Sequence, residues 1–390
     1  MNVITVSREY GAGGGEVAQR IAQLLGWELF DRELLHQAAA VEHIPDADLE
    51  RLDEKALSLA DRFRLHPPHE KYLHGLKEAV KQAAARGHVV LVGRGTRQLL
   101  GDTMDAFHLR LVAPRDWRVQ RMAEREGWPL DQAQAHCLEV DRTRERFTRY
   151  FFGADAARPD RYDLVVNTGR VPLDDVAACV AALCGTDLQS VQFTGDATLR
   201  VLTLSRELGA GDTGFAPTLG ERLRLRVHDR DLLEQQAVRL GVSEAELAQV
   251  DEQPPGIFQR FRPGSLSHRY FVALEQLMKE LAACGNVLLV GRGGSRFLRD
   301  FPGAFHVRLV ATPEARVRRV MEHRWLREGP ARQLIAQIDE QRRRFHADYF
   351  GTDWSSPLEY HFTVNTGRLG PAAVDLIALA AGRFWRHGRK

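Results

Sequence analysis

The sequence predicts an α/β protein built as two tandem domains, each a three-layer α/β/α unit around a mainly parallel, doubly wound sheet. Three observations lead there. First, matching segments recur 198 positions apart: Gly93-Arg94-Gly95 as Gly291-Arg292-Gly293, Ser7-Arg8-Glu9 as Ser205-Arg206-Glu207, and Asn167-Thr168-Gly169-Arg170 as Asn365-Thr366-Gly367-Arg368. Second, short apolar runs alternate with helix-length stretches, the pattern of parallel strands joined by crossover helices. Third, each copy opens with a continuous apolar strand that runs into a glycine-rich turn. The constant offset leaves no net insertion or deletion between the copies, so residues 1–185 and 199–390 are expected to be the two domains, joined by the polar linker 186–198.

In the first copy, residues 2–6 read as a strand buried on both faces, since only Thr5 interrupts the apolar run. The turn Tyr10-Gly11-Ala12-Gly13-Gly14-Gly15 follows, then a helix over 16–25 stopped by Gly26. Residues 27–30 form a second strand, with Asp31 placed to cap the next helix. Residues 31–70 are polar and helical up to Pro67-Pro68, which suggests a lobe outside the sheet. An amphipathic helix over 69–86 ends at Gly87, and strands are expected at 89–92, 107–113 and 163–166. Helices over 114–127, 131–150 and 173–183 lie between and after them, the second rich in arginine. His108 and His306 alternate with apolar neighbours inside a strand and read as structural histidines.

Composition narrows the function classes. A net charge of +2 gives no electrostatic case for a nucleic-acid or membrane-surface protein, and no stacking-aromatic pattern supports nucleic-acid binding. No apolar run approaches membrane-spanning length, and the start shows no signal peptide, so a cytoplasmic protein is expected. The four cysteines fit neither a disulfide framework nor a zinc site. Lysine occurs only at positions 55, 71, 77, 81, 279 and 390, none of them near a glycine-rich turn. An anion site at such a turn must therefore use arginine and backbone N–H groups.

A glycine turn between a buried first strand and a helix suits phosphate, because its N–H groups face the anion and the helix end adds partial positive charge. Gly11, Ala12, Gly13, Gly14 and Gly15 are the candidates, although the lysine of the usual phosphate-loop pattern is absent and Gly14 stands in its place. In the second copy Asp212 takes that position, and its carboxylate would repel phosphate. Arg8 either supplies the missing positive charge or pairs with a carboxylate such as Glu9. Arg94 directly follows a buried strand, where crevice residues of open α/β sheets lie. Asn167 ends the last strand, either capping the turn after it or touching a bound base.

Taken together these segments resemble the cytidylate kinase-like family of P-loop nucleoside monophosphate kinases. The opening Ile4-Thr5-Val6-Ser7-Arg8-Glu9-Tyr10-Gly11-Ala12-Gly13-Gly14 is similar to that family's start. Trp27-Glu28-Leu29-Phe30-Asp31-Arg32 resembles its second strand and monophosphate lobe, and Val92-Gly93-Arg94-Gly95 its Gly-Arg-Asp segment. Asp141-Arg142-Thr143-Arg144-Glu145-Arg146 resembles the arginine-bearing lid.

The resemblance implies ATP and Mg²⁺ as cofactors and a nucleoside triphosphate and monophosphate as partners, with CMP or dCMP the expected acceptor. Ser7 and Arg8 would flank the donor phosphates, and Arg142, Arg144 and Arg146 would close over them. Arg94 would grip the acceptor monophosphate, with Asp31 and Arg32 nearby. Arg142 and Arg144 cannot share one helical face, so at most two of the three lid arginines should reach one phosphate.

Three departures stand out: Gly95 replaces the family's aspartate, Arg32 a serine, and Gly15 an arginine. Two readings follow, a nucleoside monophosphate kinase active in the first copy, or a nucleotide-binding sensor without useful catalysis. The duplication is also compatible with an internal pseudo-dimer.

Overall fold

The computed structural model describes residues 1–31, 68–93, 95–102, 105–153, 158–185, 199–211, 213–229, 266–291 and 293–387. The expected lobe at 32–67 and its counterpart at 230–265 lie outside them, as do Arg32, Arg94, Asp212, Arg230 and Arg292. The chain divides into two compact units, residues 1–189 and 190–390.

In the first unit the strands are β1 (Val3–Arg8), β2 (Glu28–Phe30), β3 (Val89–Val92), β4 (Ala106–Val112) and β5 (Leu164–Asn167). They pair in the order β2-β3-β1-β4-β5, every pair parallel. The central strand β1 is flanked by β3 and β4, with Val6 opposite Val92 and Ser7 opposite Arg110. This is the switch point of an open α/β sheet, where the crevice for a ligand opens at the strands' carboxyl ends.

Helices α1 (Gly14–Leu25), α2 (Pro68–Arg86), α3 (Thr96–Leu100), α4 (Arg115–Glu126), α5 (Leu130–Phe152) and α6 (Leu173–Cys184) complete the unit. Side-chain alternation along the strands feeds both faces of the sheet. Val3, Val89, Leu91 and Ala106 pack with Leu76, Val80 and Ala83 of α2 and Leu100 of α3. The alternate residues Ile4, Val6 and Val90 are also fully buried, and α1 packs on α6 and β3. Five-residue α3 has no counterpart among the expected elements; it is too short for a hydrophobic period to reveal. Helix α1 begins two residues earlier than expected, because Gly13 takes a left-handed conformation (φ 79°) and the helix starts directly after it.

The second unit repeats the plan with β6 (Val201–Arg206), β7 (Arg226–His228), β8 (Val287–Val290), β9 (Ala304–Val310) and β10 (Phe362–Asn365), ordered β7-β8-β6-β9-β10 and parallel. Its described helices are α7 (Phe215–Leu223), α8 (Leu266–Cys284), α9 (Gly294–Phe297), α10 (Pro313–Arg324), α11 (Glu328–Phe350), α12 (Thr366–Leu369) and α13 (Ala372–His387). No described helix is long and apolar enough to cross a membrane. All four cysteines are free thiols, and burial pushes that of Cys184 up to about 12. His108 is fully buried, its Nδ1 2.7 Å from Thr5 Oγ1 and its Nε2 3.2 Å from the Gly101 carbonyl; His306 meets Thr203 Oγ1 in the same way at 2.8 Å.

Candidate functional site

The glycine loop joins β1 to α1. Gly11 (φ 80°) and Gly13 (φ 79°) both adopt the left-handed conformation that a side chain disfavours, which turns the chain sharply into the helix. Helix α1 makes its first return bond from the Val17 N–H to the Gly13 carbonyl at 3.0 Å. The N–H groups ahead of it have no acceptor within the helix, and such groups are what an anion would engage.

Arg8 brings a cation to this place. Its side chain lies across Gly14, so that a Cβ at position 14 would stand 2.7 Å from the Cβ of Arg8 and 2.9 Å from its Cγ. The guanidinium continues to the end of β3, where its Nη1 lies 2.8 Å from the Cβ position of Gly93. The glycine that replaces the usual lysine thus leaves the space through which an arginine from the preceding strand reaches the crevice. Gly15, by contrast, faces open space, with nothing within 4 Å of its Cβ position.

Two further side chains, Arg118 and Asp141, hold the loop from behind. The buried Arg118 of α4 donates to the Ala113 carbonyl (3.0 Å), the Tyr10 carbonyl (2.8 Å) and Asp141 Oδ2 (2.6 Å), and lies 3.4 Å from Glu9 Oε2. Asp141 of α5 also accepts from the Tyr10 N–H at 2.8 Å. Burial pushes the Glu9 carboxyl up, against the opposing pull of Arg118 and Arg110. The second copy repeats the arrangement: Arg316 donates to the Leu208 carbonyl and pairs with Asp339 and Glu207, and Asp339 accepts from the Leu208 N–H. Sequence reasoning missed this network, although recurrence of Arg118 and Asp141 at the common offset was a signal that could have found it.

Among the lid candidates the structure brings Arg144 to the loop: its Nη1 donates to the Arg8 carbonyl at 3.2 Å and its guanidinium lies 5.6 Å from the Tyr10 ring. Arg342 makes the same contact to the Arg206 carbonyl at 2.6 Å. Arg142 and Arg146 are exposed on α5, one helical turn apart on a different face. Helix α5 ends at Phe152, whose Cζ would lie 2.7 Å from a Cβ on Gly95; Phe350 and Gly293 repeat this at 2.7 Å. The space that a side chain at position 95 would need is thus filled by an aromatic ring supplied by α5.

Ser7 is half-buried at the end of β1, and Ala12 is fully buried in the loop, its carbonyl accepting from Thr168 Oγ1 at 3.0 Å. Asn167 is buried, with Oδ1 accepting from the Gly169 N–H at 3.1 Å, which is the local turn role. Asp31 is exposed at the end of β2. Arg32 and Arg94 lie outside the described residues.

No group of three metal-ligating side chains occurs among the described residues. Magnesium in phosphoryl transfer needs only one or two carboxylates beside phosphate oxygens and waters. Glu16 is engaged by Arg121 at 2.6 Å, the half-buried Glu9 lies against Arg118, and Asp31 is exposed just beyond β2.

The second copy departs at the loop. Its Gly211 is twisted further (φ 122°), and α7 begins only at Phe215, one turn later than α1 by the common offset.

Comparison with known proteins agrees with this geometry. The model of the cytidylate kinase-like family matches residues 3–170 and again 201–368. A cytidylate kinase of Aeropyrum pernix is 30% identical over 172 residues, covering 44% of this chain and 91% of that protein; one of Natronomonas pharaonis is 26% identical over 181 residues, covering 46% and 86%. A uronate isomerase of Corynebacterium glutamicum is 30% identical over 91 residues, but the match spans 23% of this chain and only 18% of that protein. A crystal structure of an uncharacterized protein from Eubacterium ventriosum covers 46% of this chain and 95% of its own at 24% identity, with a TM-score of 0.37, too low to bear on fold or function. On the two family matches, which together span most of its length, the chain belongs to the cytidylate kinase-like family, represented by two consecutive copies.

Proposed function

We propose that the first copy is a nucleoside monophosphate kinase that moves the γ-phosphoryl group of ATP to a monophosphate of the CMP or dCMP type. The observation that carries this reading is the path of Arg8 across Gly14 to Gly93, which puts a guanidinium between the glycine loop and the Gly-Arg-Gly turn. A phosphate oxygen of the acceptor attacks the γ-phosphorus, the bond to the β-phosphate oxygen breaks, and ADP leaves with the electron pair. Protein groups in such a transfer mainly hold the two partners in line and neutralise the moving charge.

Arg8 suits that task, because its planar fork engages phosphate oxygens bidentately and stays charged at working pH. Magnesium, when bound with the nucleotide, would neutralise the donor phosphates. Arg144 and Arg118 fix the loop backbone through the Arg8 and Tyr10 carbonyls, and so act as positioning residues. Arg94, by family likeness, contributes to the acceptor side. The second copy, with its later helix start and Asp212 in the loop sequence, is read as lacking donor-phosphate binding.

The test is to supply magnesium-ATP with each nucleoside monophosphate and follow diphosphate formation in the wild type, Arg8→Ala, Arg8→Lys and Arg94→Ala. A cation at the transferring phosphoryl is worth about 10³ or more in rate. Arg8→Ala should therefore lose most turnover and Arg8→Lys should recover part of it. Turnover unchanged in Arg8→Ala would refute the assignment, and nucleotide binding without turnover in the wild type would identify a sensor instead.

A further inference from the structure

The two copies differ at one place beside the glycine loop, on the face of the sheet that carries Thr5 and His108. In the second copy the guanidinium carbon of Arg308 lies over the indole of Trp354, 3.9 Å from the ring centre. The indole Nε1 donates to Ser205 Oγ at 2.8 Å, and the Trp354 carbonyl accepts from Arg308 Nη1 at 2.9 Å and the Tyr360 hydroxyl at 3.0 Å. Arg308 Nη2 holds Glu207 at 3.0 Å, and the side chain is 1% exposed.

The first copy keeps Ser7, Arg110 and Tyr162 in the places of Ser205, Arg308 and Tyr360, whereas Thr148 stands where His346 lies beside the indole. Ser7 stands opposite Arg110 across β1 and β4, as Ser205 stands opposite Arg308. Arg110 lies over the Tyr162 ring at 5.6 Å, as Arg308 lies over Tyr360 at 5.8 Å. The residue at the indole's sequence position is Ala156, outside the described residues, and Arg110 is half-buried rather than sealed.

An indole is a planar heteroaromatic ring with an N–H at its edge, which is also the description of a nucleobase edge and face. We infer that Ser7, Arg110 and Tyr162 form the socket for the base of the acceptor nucleotide, stacked on Arg110 and hydrogen-bonded to Ser7 Oγ, and that Trp354 fills the equivalent socket of the second copy as a built-in mimic. The inference rests on the reading that the first copy binds a nucleoside monophosphate. It adds which residues meet the base, and why the second copy does not take one.

The experiment is calorimetric titration of the full-length chain with CMP and, separately, with ribose 5-phosphate, which carries the same phosphate but no base. Stacking of a base on a side chain is worth ~1–3 kcal/mol, so Arg110→Ala should weaken CMP about tenfold or more while leaving ribose 5-phosphate within about twofold. Ser7→Ala should do the same to a smaller extent. Trp354→Ala should raise the CMP stoichiometry from one to two per chain. Because that variant could unfold the second copy, Ala156→Trp provides the converse: it should abolish CMP binding and leave the thermal transition in place.

Equal losses for CMP and ribose 5-phosphate in Arg110→Ala would make Arg110 a phosphate ligand and overturn the inference, as would CMP binding unchanged by Arg110→Ala, or no CMP binding by the wild type. CMP bound with the expected losses but never phosphorylated would overturn the kinase reading and sustain this one.

Discussion

The side chain of Arg8 occupies the volume that any side chain at position 14 would need: a Cβ on Gly14 would come within 2.7 Å of the Arg8 Cβ. The two positions are coupled, since the arginine reaches the crevice only because residue 14 is glycine.

Gly14→Ala should therefore act through Arg8 rather than through the backbone, which has no positive φ at this position. The clash includes the Cβ of Arg8, which cannot swing away as a chain end could. Overpacking of this kind costs about 1–3 kcal/mol, and the displaced guanidinium should lower kcat/KM at least about tenfold. Gly14→Lys alone should do the same, whereas Arg8→Ala combined with Gly14→Lys should recover activity relative to either single change. Steady-state kinetics on the three variants measures the coupling, and strictly additive losses would show that the two positions act independently.

An aspartate at position 95 should not be accommodated. Gly95 has a left-handed φ of 67°, and the Phe152 ring fills the space its Cβ would take. Gly95→Asp must expel Phe152 from its packing against Phe147 and Phe151 and bury a carboxylate in its place. The expected result is a lower melting temperature with no gain in preference for CMP over UMP. A variant as stable as the wild type would show that Phe152 moves aside freely.

Arg118 should prove a folding residue as much as a loop-positioning one. It is 8% exposed and answers two carboxylates and two carbonyls, so its removal strands Glu9 and Asp141. Deleting one partner of a buried ion pair costs about 3–5 kcal/mol. Arg118→Ala should lower the unfolding free energy of the first unit, read from its denaturant curve, by an amount in that range, and Arg316→Ala should do the same to the second.

How much of this is legible in the sequence depends on the range of the interaction. The constant offset and the apolar runs set out the strands of both copies, because a parallel strand buried on both faces is recorded in a few consecutive residues. The glycine loop was legible for the same reason. Helix periodicity could say that Arg142 and Arg144 point apart, but only the packing of α5 could choose Arg144 as the one that meets the Arg8 carbonyl. The partners of Arg118 lie up to 109 residues away in sequence, and no local pattern records such a meeting. The stacking of Trp354 on Arg308 was hidden likewise, because nothing in the sequence around Trp354 points to a strand residue that far upstream.

The second copy should be the acid-sensitive one. His346 is 5% exposed beside Trp354, and burial first, then the charges of Arg308 and Arg296, lower its pKa from 6.5 to about 3, with Asp353 pulling the other way. The folded state keeps this ring neutral while the unfolded chain protonates it below about pH 6.5. Between those values the unfolded state binds more protons, so stability falls as pH drops from about 6.5 toward about 3, by at most about 1.4 kcal/mol per unit. His346→Thr, which installs the first copy's residue, should flatten that dependence. Denaturation curves of the two proteins at about pH 7.5, 6 and 5 should diverge as the acid side is entered. Parallel curves would remove His346 as the cause.

Gly15 offers the opposite kind of test, a change that should improve the protein. The first helical turn of α1 has room for an arginine at this position: the Cβ position meets nothing within 4 Å and φ is not positive. Replacing a helical glycine removes unfolded-state entropy worth about 0.5–1 kcal/mol. Against this, a cation at a helix N-terminus costs a few tenths to about 1 kcal/mol when no anion is bound. The two nearly cancel in the free protein, but only the second changes sign when phosphate arrives. Gly15→Arg should therefore leave the melting temperature almost unmoved without ligand, tighten ATP several-fold, and show a larger ATP-induced stabilisation than the wild type. Its ATP affinity should also fall more steeply with salt, because the added contact is electrostatic. Unchanged ATP affinity in a folded Gly15→Arg protein would mean that the donor phosphates do not lie over the start of α1, and the glycine loop would then have to be read as a turn alone.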